Sequence, residues 1–494
     1  MKKATLSDKV GFVSIGNVAL LASNLIISIF LARLLSRDIF GTYKQVFLVY
    51  NVVSPLILLG IPASLLYFIP RLENHIGKKQ FAWQTIYLLL FLGLIMSVFT
   101  FTTAGLFAER FNNPELRNLL RIFSIAPPIL FVASYYPQLM IALDKVKIST
   151  FFTIVFAFFT TAATVVVALF GAGLPQIILV TIATGFIKVL FFLTHTVKHL
   201  GFTVKFKLKQ FRSQLSYSIP LALSVFVGKV GWDIDRFIVS LFYPAGTFAV
   251  YAVAADQLPI VPILNAAVGA VLIPEIARRI KEGENKGVID LWHRAMRRQS
   301  IVVFPIFVYT IIMAEAIVTL LFSDTYKDSA YYFQIYQLLL PLRIAQYGVI
   351  FQAVGWTKLN LAGGVFFLVL NTFLSFIMVK TTGLAGPAWA TVVATFALAG
   401  FYVFFLIRKF PAFSLGNILP WKDLAANFFI AVGAALAIIP FYLINLPKLI
   451  MLLSSGICYV VLYIVLGLIF NRITSSDIEL AKRWINLNVF RYHG

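Results

Sequence analysis

Ten charged residues lie within the long apolar stretches of this 494-residue chain when Lys and Arg at the stretch edges are counted with the loops. The basic ones are Lys44, Lys188, Lys229, Arg236 and Arg343, and the acidic ones are Asp233, Asp235, Asp256, Glu275 and Glu315. A charge at the centre of a membrane helix costs about 2.5–3.5 kcal/mol on insertion scales, so such residues usually face a cavity and serve a function. They are therefore the first candidates for a functional site.

Four of the basic residues are candidates for holding an anionic group such as a phosphate: Lys44, Lys229, Arg236 and Arg343. Lys229, Asp233 and Arg236 have i, i+4, i+7 spacing, which places them on one helix face. For Lys44 and Arg236, which lie near the ends of their apolar stretches, snorkelling to the surface is an alternative. For Lys229, the alternative is a purely structural pair with Asp233.

Two of the acidic residues, Asp235 and Asp256, are candidates for ion coupling. A buried carboxylate can bind a proton or Na⁺ and release it when a cavity opens. The alternative is a salt bridge between helices to Arg236 or Lys229. We expect no cofactor other than a coupling H⁺ or Na⁺, no metal site and no catalytic residue.

Polar amides recur in the same apolar stretches, and three of them are candidates for binding a polar substrate: Asn24, Asn51 and Gln346. Gln346 shares a helix face with Arg343. Amides can hydrogen-bond sugar hydroxyls, but hydrogen bonds between helices are their commoner use within membranes.

The composition indicates that a membrane surrounds these residues. The chain is 60% hydrophobic and 12% charged, with a mean hydropathy of +0.91, whereas an average soluble protein is about a quarter charged. Its net charge of +22 would suggest nucleic acid in a soluble protein, but the apolar content favours a membrane, so we expect no nucleic-acid partner. The single Cys458 excludes a disulfide framework.

Apolar runs long enough to cross a bilayer predict an all-α polytopic membrane protein with about 14 transmembrane helices. The runs are 11–34, 41–69, 83–107, 119–143, 149–170, 176–197, 214–242, 248–276, 299–322, 329–354, 359–380, 385–407, 424–444 and 449–470. Lys and Arg concentrate in alternate loops, which predicts cytoplasmic N- and C-termini. Basic segments at 277–298, 198–212 and 474–492 are expected to lie on the membrane surface.

The first six spans and the next six resemble one another in order and spacing. The string FGTY from Phe40 to Tyr43 parallels FAVY from Phe248 to Tyr251. This duplication predicts two pseudo-symmetric six-helix lobes, with a substrate site between them and alternating access by rocking. The predicted divisions are 1–200 for the first lobe, 201–410 for the second, and 411–494 for two additional transmembrane helices and a cytoplasmic amphipathic tail.

Two stretches resemble a known family. LARLLSRDIFGTY (31–43) with FIPR (68–71), and DIDRFIVSLFYPAGTFAVYAVA (233–254), are similar to Wzx-type polysaccharide (O-antigen or exopolysaccharide) flippases of the MATE/MOP superfamily. The resemblance implies a flippase for undecaprenyl-pyrophosphate-linked oligosaccharide in the bacterial cytoplasmic (inner) membrane. Its expected partners are that lipid-linked oligosaccharide, membrane lipids and other polysaccharide-assembly proteins.

Three other functions are weighed against that one. Fourteen spans also fit the lipid II flippase of peptidoglycan synthesis. A MATE-like cation-coupled multidrug exporter would favour an anionic cavity, whereas the charges within these spans are balanced in sign. An enzyme is not expected, because the short outward loops offer no acceptor-handling domain and the sequence has no nucleotide, metal or nucleophile motif.

Overall fold

A computed structural model describes residues 6–256, 260–410, 412–444 and 446–474, and within them helices are the only regular structure. The first ten α-helices are α1 (Leu6–Leu34), α2 (Arg37–Leu58), α3 (Ile61–Phe68), α4 (His75–Arg110), α5 (Glu115–Phe123), α6 (Ala126–Ala133), α7 (Tyr135–Ala142), α8 (Val146–Leu169), α9 (Leu174–Leu200) and α10 (Leu208–Phe242). The others are α11 (Ala245–Ala255), α12 (Ile260–Lys281), α13 (Asn285–Ile312), α14 (Ala314–Phe322), α15 (Ser329–Gln337), α16 (Tyr347–Val354), α17 (Thr357–Thr381), α18 (Gly386–Lys409), α19 (Trp421–Ala434), α20 (Ile439–Leu443) and α21 (Lys448–Ile469).

The helices have the length and apolar composition of membrane spans. In the described residues, 10 helices can cross a membrane, or up to 12 if each of two bent pairs is one span. The chain is therefore a multi-pass helical membrane protein, as predicted, but the count of fourteen is not confirmed.

Six of the predicted spans contain more than one helical segment. α2 meets the next helical segment at 43°, and α5 meets the α6–α7 segment at 46°. The predicted span 248–276 contains α11 and α12, while 329–354 contains α15, a 3₁₀ segment at Pro341–Ile344 and α16. These four are the second and fourth spans of each predicted set of six. The predicted spans 299–322, which contains α13 and α14, and 424–444, which contains α19, a 3₁₀ segment and α20, are divided as well.

Local backbone chemistry explains where two of these breaks fall. Between α2 and α3, Leu59 and Gly60 have left-handed φ angles of 53° and 63°, and Pro62 follows in the first turn of α3. Between α15 and α16, Pro341 opens the 3₁₀ segment and Gln346 has a φ of 41°. Proline removes a backbone donor and a left-handed residue turns the chain, so an α-helix cannot continue through either.

Contacts between helices divide the chain into two compact units. One contains Met1–Pro259 and Leu361–Ala394, and the other contains Ile260–Asn360 and Thr395–Gly494. These units group helices by contact, whereas the predicted lobes group them by repeat, and the lobe boundaries at 200 and 410 stay a prediction.

The prediction of a separate surface helix over 277–298 is wrong. The segment contains the end of α12, a turn, and the start of α13. Val288, Trp292 and Met296 are buried in an apolar core, and the indole Nε1 of Trp292 donates to the carbonyl of Ala345 at 2.8 Å. An apolar stripe at helical spacing packs equally well on protein or on lipid. The sequence pattern therefore could not distinguish a helix packed in the protein core from one on the membrane surface.

The other two predicted surface segments have different outcomes. Residues 201–207 form an irregular link between α9 and α10, and it docks on α4, where Trp83 Nε1 donates to the carbonyl of Gly201 at 2.8 Å. Tyr87 likewise donates to the carbonyl of Thr203 at 2.7 Å. Apart from Thr474, the third segment lies outside the described residues.

A close helix contact joins α2 to α11 in the first unit. Gly41 of α2 lies so near the start of α11 that a Cβ at this position would overlap the carbonyl group of Ala245. The neighbouring Phe40 and the α11 residue Phe248 are both buried. The glycine of the FGTY string is therefore the residue that lets these two helices approach.

We expect Gly41→Ala to destabilise the protein by about 1–3 kcal/mol, because overpacking at a backbone contact forces the helices apart. The measurement is the thermal unfolding of purified protein in detergent. Gly228→Ala in α10 is the matched control, since a Cβ there meets nothing within 4 Å, and it should be neutral or stabilising. Equal melting temperatures for Gly41→Ala and the wild type would contradict this account of the contact.

Candidate functional site

The C-terminal end of α11 brings together charged and hydroxyl side chains from three other helices of the first unit. The helix ends at Ala255, and Asp256 follows with an extended backbone. Lys44 of α2 places its Nζ 2.7 Å from Asp256 Oδ2, and Ser28 of α1 donates its hydroxyl to the same oxygen at 2.9 Å. Asp256 is thus held by a cation and a hydroxyl from two other helices.

Arg236 of α10 reaches the same helix end. One guanidinium nitrogen donates to the carbonyl of Ala255, and another lies 3.2 Å from Asp233 Oδ1. The C-terminal end of a helix carries a partial negative charge, so cations are stabilised there. We call Ser28, Lys44, Asp233, Arg236 and Asp256 the α11-end site.

The ion pairs of the α11-end site are partly buried. The side chains of Lys44 and Asp256 are 17% and 22% exposed, so water screens them less than it screens a surface pair. Lys44 and Arg236 contact groups at the end of α11, which favours a role within the helix bundle over snorkelling. Asp256 does form an inter-helix salt bridge, and Lys44 is a partner in it.

Asp235, the other predicted coupling residue, lies in a separate cluster of oxygen atoms. It is 1% exposed. Its Oδ2 accepts from the hydroxyl of Thr391 at 3.0 Å and from that of Tyr251 at 3.4 Å. Asn371 Oδ1 lies 3.3 Å from the Thr391 hydroxyl and 3.2 Å from that of Ser375.

The Asp235 cluster, formed by Asp235, Asn371, Ser375 and Thr391, comes from α10, α17 and α18. Carboxylate, amide and hydroxyl oxygens are the ligands that hard cations prefer, and a carboxylate among hydroxyl groups can also hold a proton. Because Tyr251 belongs to α11, a single short helix contacts the Asp235 cluster and ends at the α11-end site.

Three further predicted residues lie on helix faces that lead away from the α11-end site. Asn24 is exposed on α1, one turn before Ser28. Asn51 is half-buried on α2, two turns beyond Lys44. Lys229 is exposed on α10, on the face of Asp233 and Arg236. By helical spacing, each of the three residues shares a helix face with a member of the α11-end site. None of the three is itself a member of that site.

Arg343 and Gln346 belong to the second unit. Arg343 is half-buried in the 3₁₀ segment, and Gln346 follows the segment with its left-handed backbone. The Gln346 amide donates to Asn265 Oδ1 at 3.3 Å, and Gln299 donates to the same oxygen at 3.1 Å. The result is a cluster of three amides beside a half-buried arginine.

The two acidic residues that the sequence did not assign to a site pair with neighbouring cations. Glu275 pairs with Arg278 at 2.8 Å and with Arg279 at 2.9 Å. Glu315 lies 3.0 Å from Lys327, and this carboxylate raises the pKa of the Lys327 ammonium. These ion pairs agree with a structural role for both glutamates.

Sequence reasoning missed the neutral partners of the charged residues. Ser28 and Thr391 contact the two coupling candidates, yet isolated hydroxyl residues are frequent in membrane helices and carry no visible signal. Asn371 and Ser375 at i, i+4 in an otherwise apolar helix are a weak signal that could have been found. Asn265, which joins Gln346 to Gln299, is a comparable case.

Comparison with solved structures identifies the fold. The chain is similar to the lipid II flippase MurJ in an inward closed conformation, with a TM-score of 0.76 and 14% identity over 93% of this chain and 98% of that one. It is also similar to an inward-facing multidrug resistance MATE family transporter of the MOP superfamily, with a TM-score of 0.68 and 14% identity over 81% and 98% of the two chains. A MOP superfamily transporter from Pyrococcus furiosus gives a TM-score of 0.60 and 14% identity over 83% and 97%.

The fold is therefore that of MOP superfamily transporters. No curated protein matches the sequence significantly, but the family described as Polysaccharide biosynthesis protein matches residues 30–331. The chain belongs to this polysaccharide biosynthesis family. The resemblance found in the sequence is thus confirmed as membership of a polysaccharide biosynthesis family, in a chain that has the fold of MOP superfamily transporters.

We expect Lys44→Met and Asp256→Asn each to destabilise the protein by about 1–3 kcal/mol, because each leaves a partly buried group without its partner. The double variant should lose clearly less than the sum of the two. Thermal unfolding of the four proteins measures the coupling.

The exposed pair of Lys9 and Asp144, whose side chains are 34% and 59% exposed, provides the matched control. Lys9→Met and Asp144→Asn should change stability by less than about 1 kcal/mol. Purely additive effects at Lys44 and Asp256 would contradict a coupled pair at the α11-end site.

Proposed function

We propose that this protein flips undecaprenyl-pyrophosphate-linked oligosaccharide across the bacterial cytoplasmic (inner) membrane by alternating access between its two six-helix lobes. The observation that carries the proposal is the convergence of Lys44 and Arg236 on one helix end, inside apolar helices of a polysaccharide biosynthesis family member. A pyrophosphate needs such cations when it leaves the headgroup region.

In the proposed mechanism, the substrate pyrophosphate competes with Asp256 for Lys44 and with Asp233 for Arg236. Lys229 on the same face of α10, and Arg343 in the second unit, supply further positive charge. Asn24, Asn51 and Gln346 hydrogen-bond the sugar hydroxyls.

The proposed orientation has the N- and C-termini in the cytoplasm, as the distribution of Lys and Arg predicts. The substrate is then loaded from the cytoplasmic leaflet and released outside. Its synthesis and polymerisation belong to other polysaccharide-assembly proteins, which are the proposed partners together with membrane lipids.

We propose that H⁺ or Na⁺ couples to transport at Asp235, with Asp256 as a second carboxylate. The support is geometric: Asp235 is fully buried, and hydroxyl groups of Thr391 and Tyr251 point at its Oδ2. A cation or proton bound there would change the charge of a buried cluster that contacts α11. Coupling would then reach the α11-end site through that helix.

A second candidate function is the flipping of lipid II. The observation that favours it is the similarity to the lipid II flippase over nearly the whole length of both chains. Both substrates have a polyprenyl pyrophosphate and differ in their sugars. The two candidate functions therefore differ in which glycan the protein recognises.

Transport in proteoliposomes tests the proposed substrate and its site. Wild-type protein should expose undecaprenyl-pyrophosphate-linked oligosaccharide on the far leaflet. Arg236→Ala and Arg343→Ala should lower the initial rate about tenfold or more, because each removes a charged contact worth about 1.5–3 kcal/mol. The exposed Arg278, a surface ion-pair residue of α12, provides the control Arg278→Ala, which should keep the wild-type rate.

Deletion of the gene distinguishes the candidate functions in cells. The proposed function requires the undecaprenyl-linked glycan to accumulate in the inner leaflet. Trapped lipid II would instead support the second candidate, and normal surface glycan with altered sensitivity to cationic drugs would contradict both. Full activity of both arginine variants would remove those residues from the site.

Asp235→Asn should abolish the dependence of transport on an ion gradient while the protein remains folded, because the amide keeps the shape of the carboxylate and loses its charge. The measurement compares transport driven by a Na⁺ gradient at fixed pH with transport driven by a pH gradient without Na⁺. Thr391→Ser, which retains the hydroxyl group, is the control and should respond as the wild type does. An unchanged gradient response in Asp235→Asn would exclude Asp235 as the coupling residue.

A further inference from the structure

A stripe of amide and hydroxyl side chains runs along the facing sides of α4 and α10, next to the 201–207 link, which leads into α10 and docks on α4. Its members lie at helical spacing, i, i+4 on α4 and i, i+4, i+8 on α10, so each helix presents one polar face. We call this set the amide seam; it consists of Gln80, Gln84, Gln210, Gln214 and Ser218.

Three hydrogen bonds close the amide seam. The Gln214 amide donates to the hydroxyl of Ser64 in α3 and to that of Thr85 in α4, both at 2.9 Å. The backbone N–H of Lys207 donates to Gln84 Oε1 at 3.1 Å. The seam is therefore an interface of α10 with α3 and α4.

Every member of the amide seam nevertheless keeps a buried polar atom that has no hydrogen-bond partner in the described part of the chain. These atoms are Gln80 Oε1, Gln84 Nε2, Gln210 Oε1, Gln214 Oε1 and Ser218 Oγ. The residues Gln84, Gln214 and Ser218 are fully buried. Buried polar atoms are nearly always partnered, and leaving them unpaired costs free energy.

An aromatic and cationic stack adjoins the seam. Tyr67, one turn beyond Ser64 on α3, lies against Tyr217 of α10 with ring centres 4.4 Å apart and planes at 24°. The guanidinium carbon of Arg71 lies 3.6 Å from the centre of the Tyr67 ring. Arg71 is exposed, and a stacked guanidinium is pre-organised to bind phosphate.

We propose that the amide seam and this stack form a carbohydrate-binding subsite for substrate loading, in which the amides and Ser218 bind sugar hydroxyls and Arg71 binds the adjoining pyrophosphate before it moves to Lys44 and Arg236. The proposal rests on the proposed function and deepens it, because it places glycan recognition at the end where the charge pattern predicts the cytoplasm. The subsite is closed here and opens when α10 moves away from α3 and α4. Apolar residues would pack this closed interface without the free-energy cost of unpaired polar atoms. We therefore assign the polar side chains a role in the open state, where they bind the sugar.

Lipid binding to purified full-length protein tests the subsite. The two probes are undecaprenyl-pyrophosphate-linked oligosaccharide, isolated from cells that lack the transporter, and undecaprenyl pyrophosphate itself. The double variant Gln80→Met with Ser218→Ala should weaken binding of the glycan-bearing lipid about tenfold and leave the bare lipid unaffected. Arg71→Ala should weaken both, since both contain pyrophosphate.

The double variant removes two unpartnered atoms and none of the seam's three hydrogen bonds, so it should melt at or above the wild-type temperature. Gln334→Met is the matched control: this amide lies in α15 and donates to the carbonyl of Ile311 at 2.9 Å, outside the seam. Wild-type affinity of the double variant for the glycan-bearing lipid, or an equal loss for both lipids, would overturn the proposal.

The wild-type measurement tests the proposed function separately. If the wild-type protein binds the two lipids with equal affinity, the protein does not recognise the glycan. Both the proposed oligosaccharide specificity and the seam proposal then fail. If the wild type prefers the glycan-bearing lipid and the double variant keeps that preference, only the seam proposal fails.

Discussion

The constraint on which this structure depends is that every backbone N–H and C=O in a lipid bilayer must find a partner within the protein. A continuous helix satisfies its backbone groups with its own hydrogen bonds. A broken helix can satisfy them only where protein or a polar cavity surrounds the break. The end of α11 is such a place: the carbonyl of Ala255 accepts from Arg236, and the following Asp256 accepts from Lys44 and Ser28. A helix end inside an apolar bundle thus requires polar groups from its neighbours.

The packing of α11 against α2 explains why those groups meet. Gly41 allows α2 and the start of α11 to touch backbone to backbone, and Lys44, three residues further along α2, extends its side chain to Asp256 after the end of α11. Tyr251, in the middle of α11, is buried and points its hydroxyl at Asp235. The two repeated strings, FGTY and FAVY, therefore contribute the glycine of the contact and the tyrosine that links α11 to Asp235.

The sequence was sufficient to identify the charged residues but not their partners. A charge within an apolar run is visible because it is costly there, so Lys44, Arg236, Asp235 and Asp256 could be selected from spacing and composition alone. The partner of Lys44 lies 212 residues away in the sequence. The spacing of residues along one helix cannot predict a contact between such distant residues. The span count of fourteen is not confirmed for a related reason: hydropathy registers the apolar length of 248–276 and 329–354 but not the breaks that divide them. The amphipathic stripe at 277–298 likewise reports an apolar face, and not whether protein or lipid covers it.

The α11-end site and the amide seam differ in how completely their polar groups find partners in this conformation. At the α11-end site each cation lies against a carboxylate, so the positive charges are neutralised within the protein. At the seam, amide and hydroxyl atoms stay unpartnered in the described part of the chain. An unpaired charge in an apolar bundle costs far more than an unpaired amide. The cations of the α11-end site therefore require neutralising carboxylates such as Asp256 and Asp233, whereas the amide seam tolerates unpartnered amide and hydroxyl atoms.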